Sequence, residues 1–293
     1  MHLGRVGIWT GTFDRLPATA VRTRAAELDE LGYGTIWVPD AIGRDPFLAS
    51  TLLLGGTDRI AVATGVASIY GRDPLAMRSV WEATSEAFPG RFLLGLGVSH
   101  APMVEGLRAQ DYGPPLTAMR TYLERVDHAL YAGATADVAP ERVLAALGPK
   151  MLALASDEAV GALTYLVPPE HTARARETLG SRPLLACEQA VVLSTHADAA
   201  RTIGREHLAT YLGLPNYTNN LRRLGYTDDD LSDGGSDRLV DALIAWGDVD
   251  AVRTRVGEHL DAGANHICVQ VLTSPQFRDC IEEWRDLAPA LLT

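Results

Sequence analysis

A glycine-rich strand end carries the first residues that could do chemistry. The segment GRFLLGLGVSH, residues 90–100, is an apolar run that closes on Gly95, Gly97 and His100. A dinucleotide-binding turn needs a third glycine where His100 stands and a helix that opens at once, so the segment departs from that motif. It predicts a strand end that allows close approach to the backbone, beside an imidazole that can exchange a proton near neutral pH. A structural loop histidine fits the same position.

A second segment with chemical potential is RVLAALGPKMLALA, residues 142–155. It predicts a strand that ends near Gly148, followed by a helix with Pro149 in its first turn. The free amides of residues 148–151 would point out of that helix start, and Lys150, the only lysine of the chain, would add a positive charge. The pattern favours a phosphate seat, with an ordinary helix start beside a solvent-facing lysine as the alternative.

Other kinds of site find little support in the residues. The chain has no nucleophile elbow with Ser-His-Asp order, no HExxH motif and no close pair of carboxylates at strand ends. Its three cysteines, Cys187, Cys268 and Cys280, lack metal-ligand spacing, so we expect free thiols and no metal site. A site with few acid-base groups suggests a cofactor that brings its own reactivity.

The elements that must position these residues alternate regularly along the chain. Eight apolar runs predict strands at 5–11, 34–40, 59–66, 91–98, 142–147, 161–167, 183–194 and 266–272. Eight amphipathic stretches predict helices at 17–31, 46–54, 74–88, 115–131, 149–155, 169–179, 197–211 and 249–262. This pattern favours an α/β fold, a (β/α)8 TIM barrel formed by one domain over residues 1–293. Residues 214–246, which we call the rim segment, break the rhythm between strands seven and eight and predict extra helices.

Composition limits the partners. The net charge of −11 and the isoelectric point near 5.2 disfavour nucleic acid and anionic membranes, which select basic surfaces. No apolar run is long enough for a membrane helix, and the first residues lack the pattern of a signal peptide. We therefore expect a cytoplasmic protein that acts on a small molecule.

Four segments resemble the bacterial-luciferase-like superfamily, and within it the oxidoreductases that use the deazaflavin coenzyme F420. They are TGVASIYGRDPLAM (64–77), GRFLLGLGVSHAPMVEG (90–106), AALGPKMLALA (145–155) and VPPEHTARARETLG (167–180). The resemblance covers nearly the whole chain and keeps the order of the family's barrel. It implies hydride transfer between F420 and a small organic substrate, and homodimerisation through barrel helices.

The resemblance also implies roles for individual residues. A non-proline cis peptide at Gly65–Val66 would press against the cofactor ring, Asp40 would lie near the ring's polar edge, and small residues such as Gly97 and Val98 would make room for the ring. The phosphate seat matches the residues around the start of the fifth helix, which are Ala146, Leu147, Gly148, Lys150 and Met151. Relatives that oxidise sugar phosphates carry a histidine and a glutamate where this chain has Ala41 and His100, so that substrate class does not transfer. His100 becomes the candidate catalytic residue.

Three aromatic residues near strand ends, Trp9, Tyr70 and Tyr112, are candidates for the wall of a substrate pocket, although packing would explain them equally. Two alternatives to an F420 oxidoreductase remain open. One is an FMN-dependent monooxygenase with the same fold, and the other is a non-catalytic protein that carries a deazaflavin or flavin.

Overall fold

Parallel strands close on themselves to form the centre of the molecule. The computed structural model describes residues 1–292. The ten strands are β1 (Val6–Trp9), β2 (Thr35–Val38), β3 (Ala61–Thr64), β4 (Ala67–Ser68), β5 (Phe92–Gly97), β6 (Glu141–Ala145), β7 (Gly161–Thr164), β8 (Leu184–Leu193), β9 (Ile244–Gly247) and β10 (His266–Val271). Eight of them pair in the order β1-β2-β3-β5-β6-β7-β8-β10, and β10 pairs with β1 to close the ring. The predicted eight-stranded barrel is confirmed.

Helices surround this ring and return the chain from the end of one strand to the start of the next. They are α1 (Ala18–Leu31), α2 (Pro46–Leu54), α3 (Pro74–Ala87), α4 (Pro115–Asp127), α5 (Pro149–Glu158), α6 (Pro169–Leu179), α7 (Ala197–Leu212), α8 (Pro215–Leu224), α9 (Asp228–Leu231), α10 (Asp237–Leu243), α11 (Val249–Asp261) and α12 (Ile281–Leu291). A π-helical turn, Pro102–Leu107, follows β5. Within residues 1–292, no helix has the length and apolar character that crossing a bilayer requires.

The core has an inner and an outer layer. Side chains of β8 and β10 alternate between them: Ala186 and Cys268 lie in the barrel interior, whereas Cys187 and Val269 pack with the helices. Trp37 fills the interior and donates from Nε1 to Nε2 of His266 at 2.9 Å. The other ring nitrogen of His266 contacts the Gly4 carbonyl at 2.9 Å, so this buried polar pair is fully satisfied.

The structure corrects the sequence prediction in four places. The helix predicted to end at residue 131 ends at Asp127, and the one predicted to end at residue 155 continues to Glu158. The rim segment is not purely helical: besides α8, α9 and α10 it contributes β9, because the apolar run IAWG pairs with the last four residues of β8. Helix α12, which was not predicted, buries Ile281, Trp284 and Leu287 on one face.

Candidate active site at the carboxyl ends of the strands

The barrel mouth is the end of the ring where the strands have their carboxyl termini. The strands themselves are almost fully buried, but inward-facing side chains at their ends, Val66, Ala145 and Tyr165, remain partly exposed. Val98 is also partly exposed, yet it packs against the outer core beside the helices and not with the inner layer. The mouth is therefore lined on this side by two short apolar side chains and one aromatic ring, a surface suited to a flat ligand.

The glycines of the opening motif make room for a bulge at the end of β3. The Gly65–Val66 peptide is cis, as the resemblance implied, and Trp9 donates from Nε1 to the Gly65 carbonyl at 2.8 Å. A Cβ at Gly95 would overlap the Thr64 carbonyl oxygen, and a Cβ at Gly97 would lie 2.5 Å from a methyl group of Val66. Both glycines are thus explained by the bulge, while contact of Gly97 with a cofactor stays a prediction.

Asp40, just after the carboxyl end of β2, links three segments of the chain. One carboxylate oxygen accepts from the Ser68 amide at 3.0 Å and the other from the Arg108 guanidinium at 3.2 Å. The Asp40 side chain is 13% exposed, so its charge is largely shielded from water and paired with Arg108. The residue therefore has a structural role beside the predicted one at the cofactor ring.

His100 stands under the first turn of the rim segment. Its ring lies 5.7 Å from the ring of Tyr217 in α8. Burial lowers the pKa of His100, and the Asn216 side chain, as an acceptor for the imidazole N–H, opposes that shift only in part. The imidazole is therefore neutral at pH 7 and has both a donor and an acceptor nitrogen.

The three aromatic candidates fall into two groups. Trp9 packs on Tyr165 in the barrel mouth, with ring centroids 5.4 Å apart. The ring centroids of Tyr70 and Tyr112 lie 5.7 Å apart instead, and Tyr70 lines a cavity of about 520 Å³ between the loop before α3 and one side of α4. Only Trp9 is thus placed with the inward-facing strand ends.

A hydrogen-bonded group of aromatic residues in the mouth was missed by the sequence analysis. The hydroxyl of Tyr165 donates to Gln270 at 2.8 Å and lies 2.9 Å from the Tyr211 hydroxyl and 3.4 Å from Nε2 of His207. Burial lowers the pKa of His207 to about 4 and raises that of Tyr165, so the group is uncharged at neutral pH. His207 and Tyr211 stand four residues apart in α7, a spacing that places both on one helix face and was a usable signal.

A buried carboxyl group was missed as well. Glu188 stands in the middle of β8, in the apolar run PLLACEQAVVLS, and is 1% exposed. One of its oxygens accepts from the Leu166 amide at 3.0 Å, whereas the other has no partner within residues 1–292. Burial raises the pKa of Glu188 from 4.5 to about 8. A lone charged residue within a continuous apolar strand was the signal that marked it.

The residues predicted to form a phosphate seat lie at the start of α5. Gly148 caps the helix, Lys150 is exposed and without an ion pair in residues 1–292, and Met151 is half-buried. Not every predicted residue is free to bind: the Ala146 amide donates to the Leu163 carbonyl at 3.0 Å, and the Leu147 carbonyl is engaged by His171 at 2.8 Å.

The rim segment adds a basic side chain to this seat. The guanidinium of Arg223 in α8 lies 3.7 Å from the point where a Cβ at Gly148 would stand. The Arg223 side chain donates a hydrogen bond to the neutral amide of Asn220 at 3.3 Å, and among residues 1–292 it forms no salt bridge with a carboxylate. Of the amides predicted to be free, that of Met151 donates to the Gly148 carbonyl at 3.1 Å and Pro149 has none, which leaves those of Gly148 and Lys150. These two amides and two cations match the chemistry of a phosphate ester.

Proteins with related sequences or the same fold have been described. A Mycobacterium tuberculosis protein with the provisional description of a coenzyme F420-dependent oxidoreductase is 25% identical over 94% of this chain and 97% of its own length. An F420-dependent secondary alcohol dehydrogenase, solved with an F420-acetone adduct, superposes with a TM-score of 0.77 at 13% identity and covers 98% of this chain and 99% of its own.

An FMN-bound type II Baeyer-Villiger monooxygenase of Pseudomonas putida reaches a TM-score of 0.67 at 15% identity, over 98% of each chain. At such identities the two structures establish the shared fold and nothing finer. The family's sequence pattern, in contrast, matches residues 2–266 directly. The barrel, its bulge and this match together place the chain in the luciferase-like monooxygenase family.

Proposed function

We propose that this protein is an oxidoreductase that uses coenzyme F420 to transfer a hydride to or from a small organic substrate. One observation carries the proposal: a single helix, α8, contacts both His100 in the barrel mouth and the cationic start of α5. In α8, Tyr217 covers His100 and Arg223 stands beside Gly148. Six residues separate them, about 9 Å along the helix axis. A cofactor with a planar ring and a phosphate side chain would place its ring in the mouth and its phosphate at the start of α5.

The residues present fit such a group. The free amide of Lys150, its ammonium group and the Arg223 guanidinium would hold the phosphate. Val66 and Trp9 would bound the ring in the mouth, and the Asp40–Arg108 pair offers polar atoms at the ring's edge. When bound, F420 supplies a hydride donor or acceptor at its central ring carbon.

The chemical step left to the protein's own side chains is then the transfer of a proton. Reduction of a carbonyl or an alkene adds one hydride and one proton, and oxidation of an alcohol removes both. His100 is neutral at pH 7 and is the candidate that gives or takes this proton. The side chains around His100 and Tyr165 are uncharged at pH 7, and this favours a substrate whose reacting part is uncharged.

The second candidate is an FMN-dependent monooxygenase, supported by the family's description and by the FMN-bound relative of the same fold. A non-catalytic carrier of a deazaflavin or flavin is the third, and the few ionisable groups in the mouth support it. F420 is preferred because the relative that aligns with nearly the whole chain carries that description.

Titration of the protein with F420 and, separately, with FMN tests the proposal, with quenching of tryptophan fluorescence as the signal. Saturable binding of F420 with no comparable binding of FMN supports it. Preference for FMN together with oxygen consumption would establish the monooxygenase instead, and binding of neither would refute both. Binding without turnover of any carbonyl or alcohol in a substrate screen would leave the carrier.

We also propose a cytoplasmic homodimer. The three cysteines are free and buried, which suits a reducing compartment. Leu48 on α2 and Leu75 on α3 are more than half exposed, and leucines on neighbouring barrel helices would be covered in a dimer. Light scattering coupled to gel filtration tests this: a monomer at micromolar concentration would contradict the dimer.

A further inference from the structure

Glu188 occupies a place in the barrel interior that the proposed mechanism does not use. It lies on the inward face of β8, two residues beyond Ala186 and in register with Cys268 of β10. Only 1% of the residue is exposed. A carboxyl group at such a position costs several kcal/mol unless it is neutral or paired, so a structural or chemical reason must retain it.

Its contacts connect it to the end of β7. One carboxyl oxygen accepts from the Leu166 amide at 3.0 Å, and Leu166 has a left-handed backbone with φ of +56°. A branched side chain is unfavourable in that conformation, so the backbone there must be held by its surroundings. The Glu188 carboxyl group restrains this backbone by accepting a hydrogen bond from the amide of the peptide that joins Tyr165 to Leu166.

Tyr165 links the end of β7 to the rest of the mouth. Its hydroxyl bonds to Gln270 of β10 and Tyr211 of α7, and its ring packs on Trp9 of β1 and lies 6.4 Å from the ring of Tyr217 of α8. Moving the end of β7 would therefore move one member of a network that spans four other elements. The position of Tyr165 sets the shape of the mouth above the barrel.

The titratable groups that face Glu188 are all neutral at pH 7. They are Tyr165 at the end of β7, Tyr211 on α7, Tyr217 on α8 and Cys268 on β10, and Cys187, on the opposite face of β8, is neutral as well. Burial is the largest influence on the pKa of Glu188, and the Leu166 amide opposes it. The carboxyl group is thus mostly protonated at pH 7 and loses its proton within a range open to experiment.

We propose that Glu188 is a positioning residue of the candidate active site: its buried carboxyl group holds the end of β7 and so fixes the Tyr165 hydroxyl in the barrel mouth. The inference rests on the proposed function only for its consequence in cofactor binding. Ionisation of Glu188 places an uncompensated charge beneath the tyrosines and shifts their hydrogen-bond network.

Nuclear magnetic resonance of the full chain with ring-labelled tyrosine tests this, with the Tyr165 signal assigned from Tyr165→Phe. We expect the signal to shift with pH, with a midpoint near 8, in the unmodified protein. Glu188→Gln, which keeps an acceptor for the Leu166 amide but cannot ionise, should lose the transition and keep the signal near its low-pH position. Glu188→Ala should displace the signal at every pH, because the Leu166 amide loses its acceptor.

Glu82→Gln is the matched control, because Glu82 is also buried but pairs with Arg78 at 2.6 Å on α3. This control should retain the transition. A transition that persists in Glu188→Gln, or a Tyr165 signal unmoved in Glu188→Ala, would overturn the proposal. If Glu188→Ala does not fold, the Glu188→Gln titration decides alone.

A second measurement separates this inference from the proposed function. The Kd for F420, measured by fluorescence from pH 6.5 to 9.5, should change across the same transition in the unmodified protein and stay level in Glu188→Gln. A Kd that varies equally in both would contradict a link between Glu188 and the cofactor site. If neither protein binds F420 at any pH, the proposed function fails, while the tyrosine titration still decides the role of Glu188.

Discussion

A methyl group added at Gly97 should destabilise the barrel through Val66. The new Cβ would lie 2.5 Å from a Val66 methyl carbon and 3.4 Å from the Ala145 Cβ. Carbon atoms in contact normally stay about 3.5–4.0 Å apart, so the overlap with Val66 is about 1 Å. Overpacking of this kind costs about 1–3 kcal/mol, and we expect about 1–2 kcal/mol for Gly97→Ala because Val66 is partly exposed and can turn into the mouth.

Val66→Ala provides the internal control. Removing the methyl groups that clash should recover most of the loss, so the cost of Gly97→Ala in the Val66→Ala background should fall by about 1 kcal/mol. Gly95→Ala should be more damaging than Gly97→Ala, since its Cβ meets the backbone carbonyl of Thr64, which cannot rotate away. We expect a loss above about 3 kcal/mol or failure to fold.

Urea unfolding followed by circular dichroism measures all four variants. F420 affinity of Gly97→Ala, measured in parallel, should fall because the displaced Val66 side chain enters the mouth. A Gly97→Ala protein as stable as the unmodified one, or a loss that Val66→Ala does not relieve, would refute this account of the glycine. So would a Gly95→Ala protein that is more stable than Gly97→Ala.

Three further outcomes are expected. Because the pKa of Glu188 is raised on folding, the native state keeps a proton that the unfolded chain releases. Between pH 5 and 8 the free energy of unfolding, measured in urea, should therefore fall by at most about 4 kcal/mol in the unmodified protein relative to Glu188→Gln. Equal pH dependence in the two proteins would contradict this. Arg223→Gln should weaken F420 binding several-fold, about 1 kcal/mol, at low salt and less at high salt, whereas Arg222→Gln, whose charge is already paired with Asp228, should not; equal effects would remove Arg223 from the seat. His100→Ala should lower turnover of an identified substrate about 10²- to 10⁴-fold with F420 affinity retained, and unchanged turnover would end its proposed role.

The barrel itself was predictable because its strands are nearly continuous apolar runs and several of its helices begin with a recognisable residue type. Pro46, Pro74, Pro115, Pro149 and Pro169 each stand at the first residue of a helix, where the missing amide costs nothing. Helix ends were less exact, since they depend on packing and not on a single residue type. The strand β9 was missed because its four residues acquire strand geometry only by pairing with β8.

The candidate site was predictable only in part. Val66 and His100 lie in the loops just after β3 and β5, and Lys150 lies in the first turn of α5. Sequence order alone brings such residues to the end of the barrel where the strands terminate. Arg223 reaches Gly148 from a helix 75 residues further along the chain, and only the folded rim segment reveals that contact. The need for glycine at position 97 could not be predicted from a sequence pattern, because the atom that a Cβ would meet, a methyl carbon of Val66, belongs to the bulge after β3.

The direct pairing of β8 with β10 has a consequence for how this protein can change. Six residues of β8 bond to six of β10, so the ring closes without any residue of the rim segment. Exchanging or lengthening α8–α10 would rebuild the wall above the mouth and leave the ladder of the barrel intact. Backbone closure of the barrel and the shape of its mouth are in this sense separate properties, so a changed rim segment must again cover the carboxyl-terminal half of β8 but need not rebuild the ring.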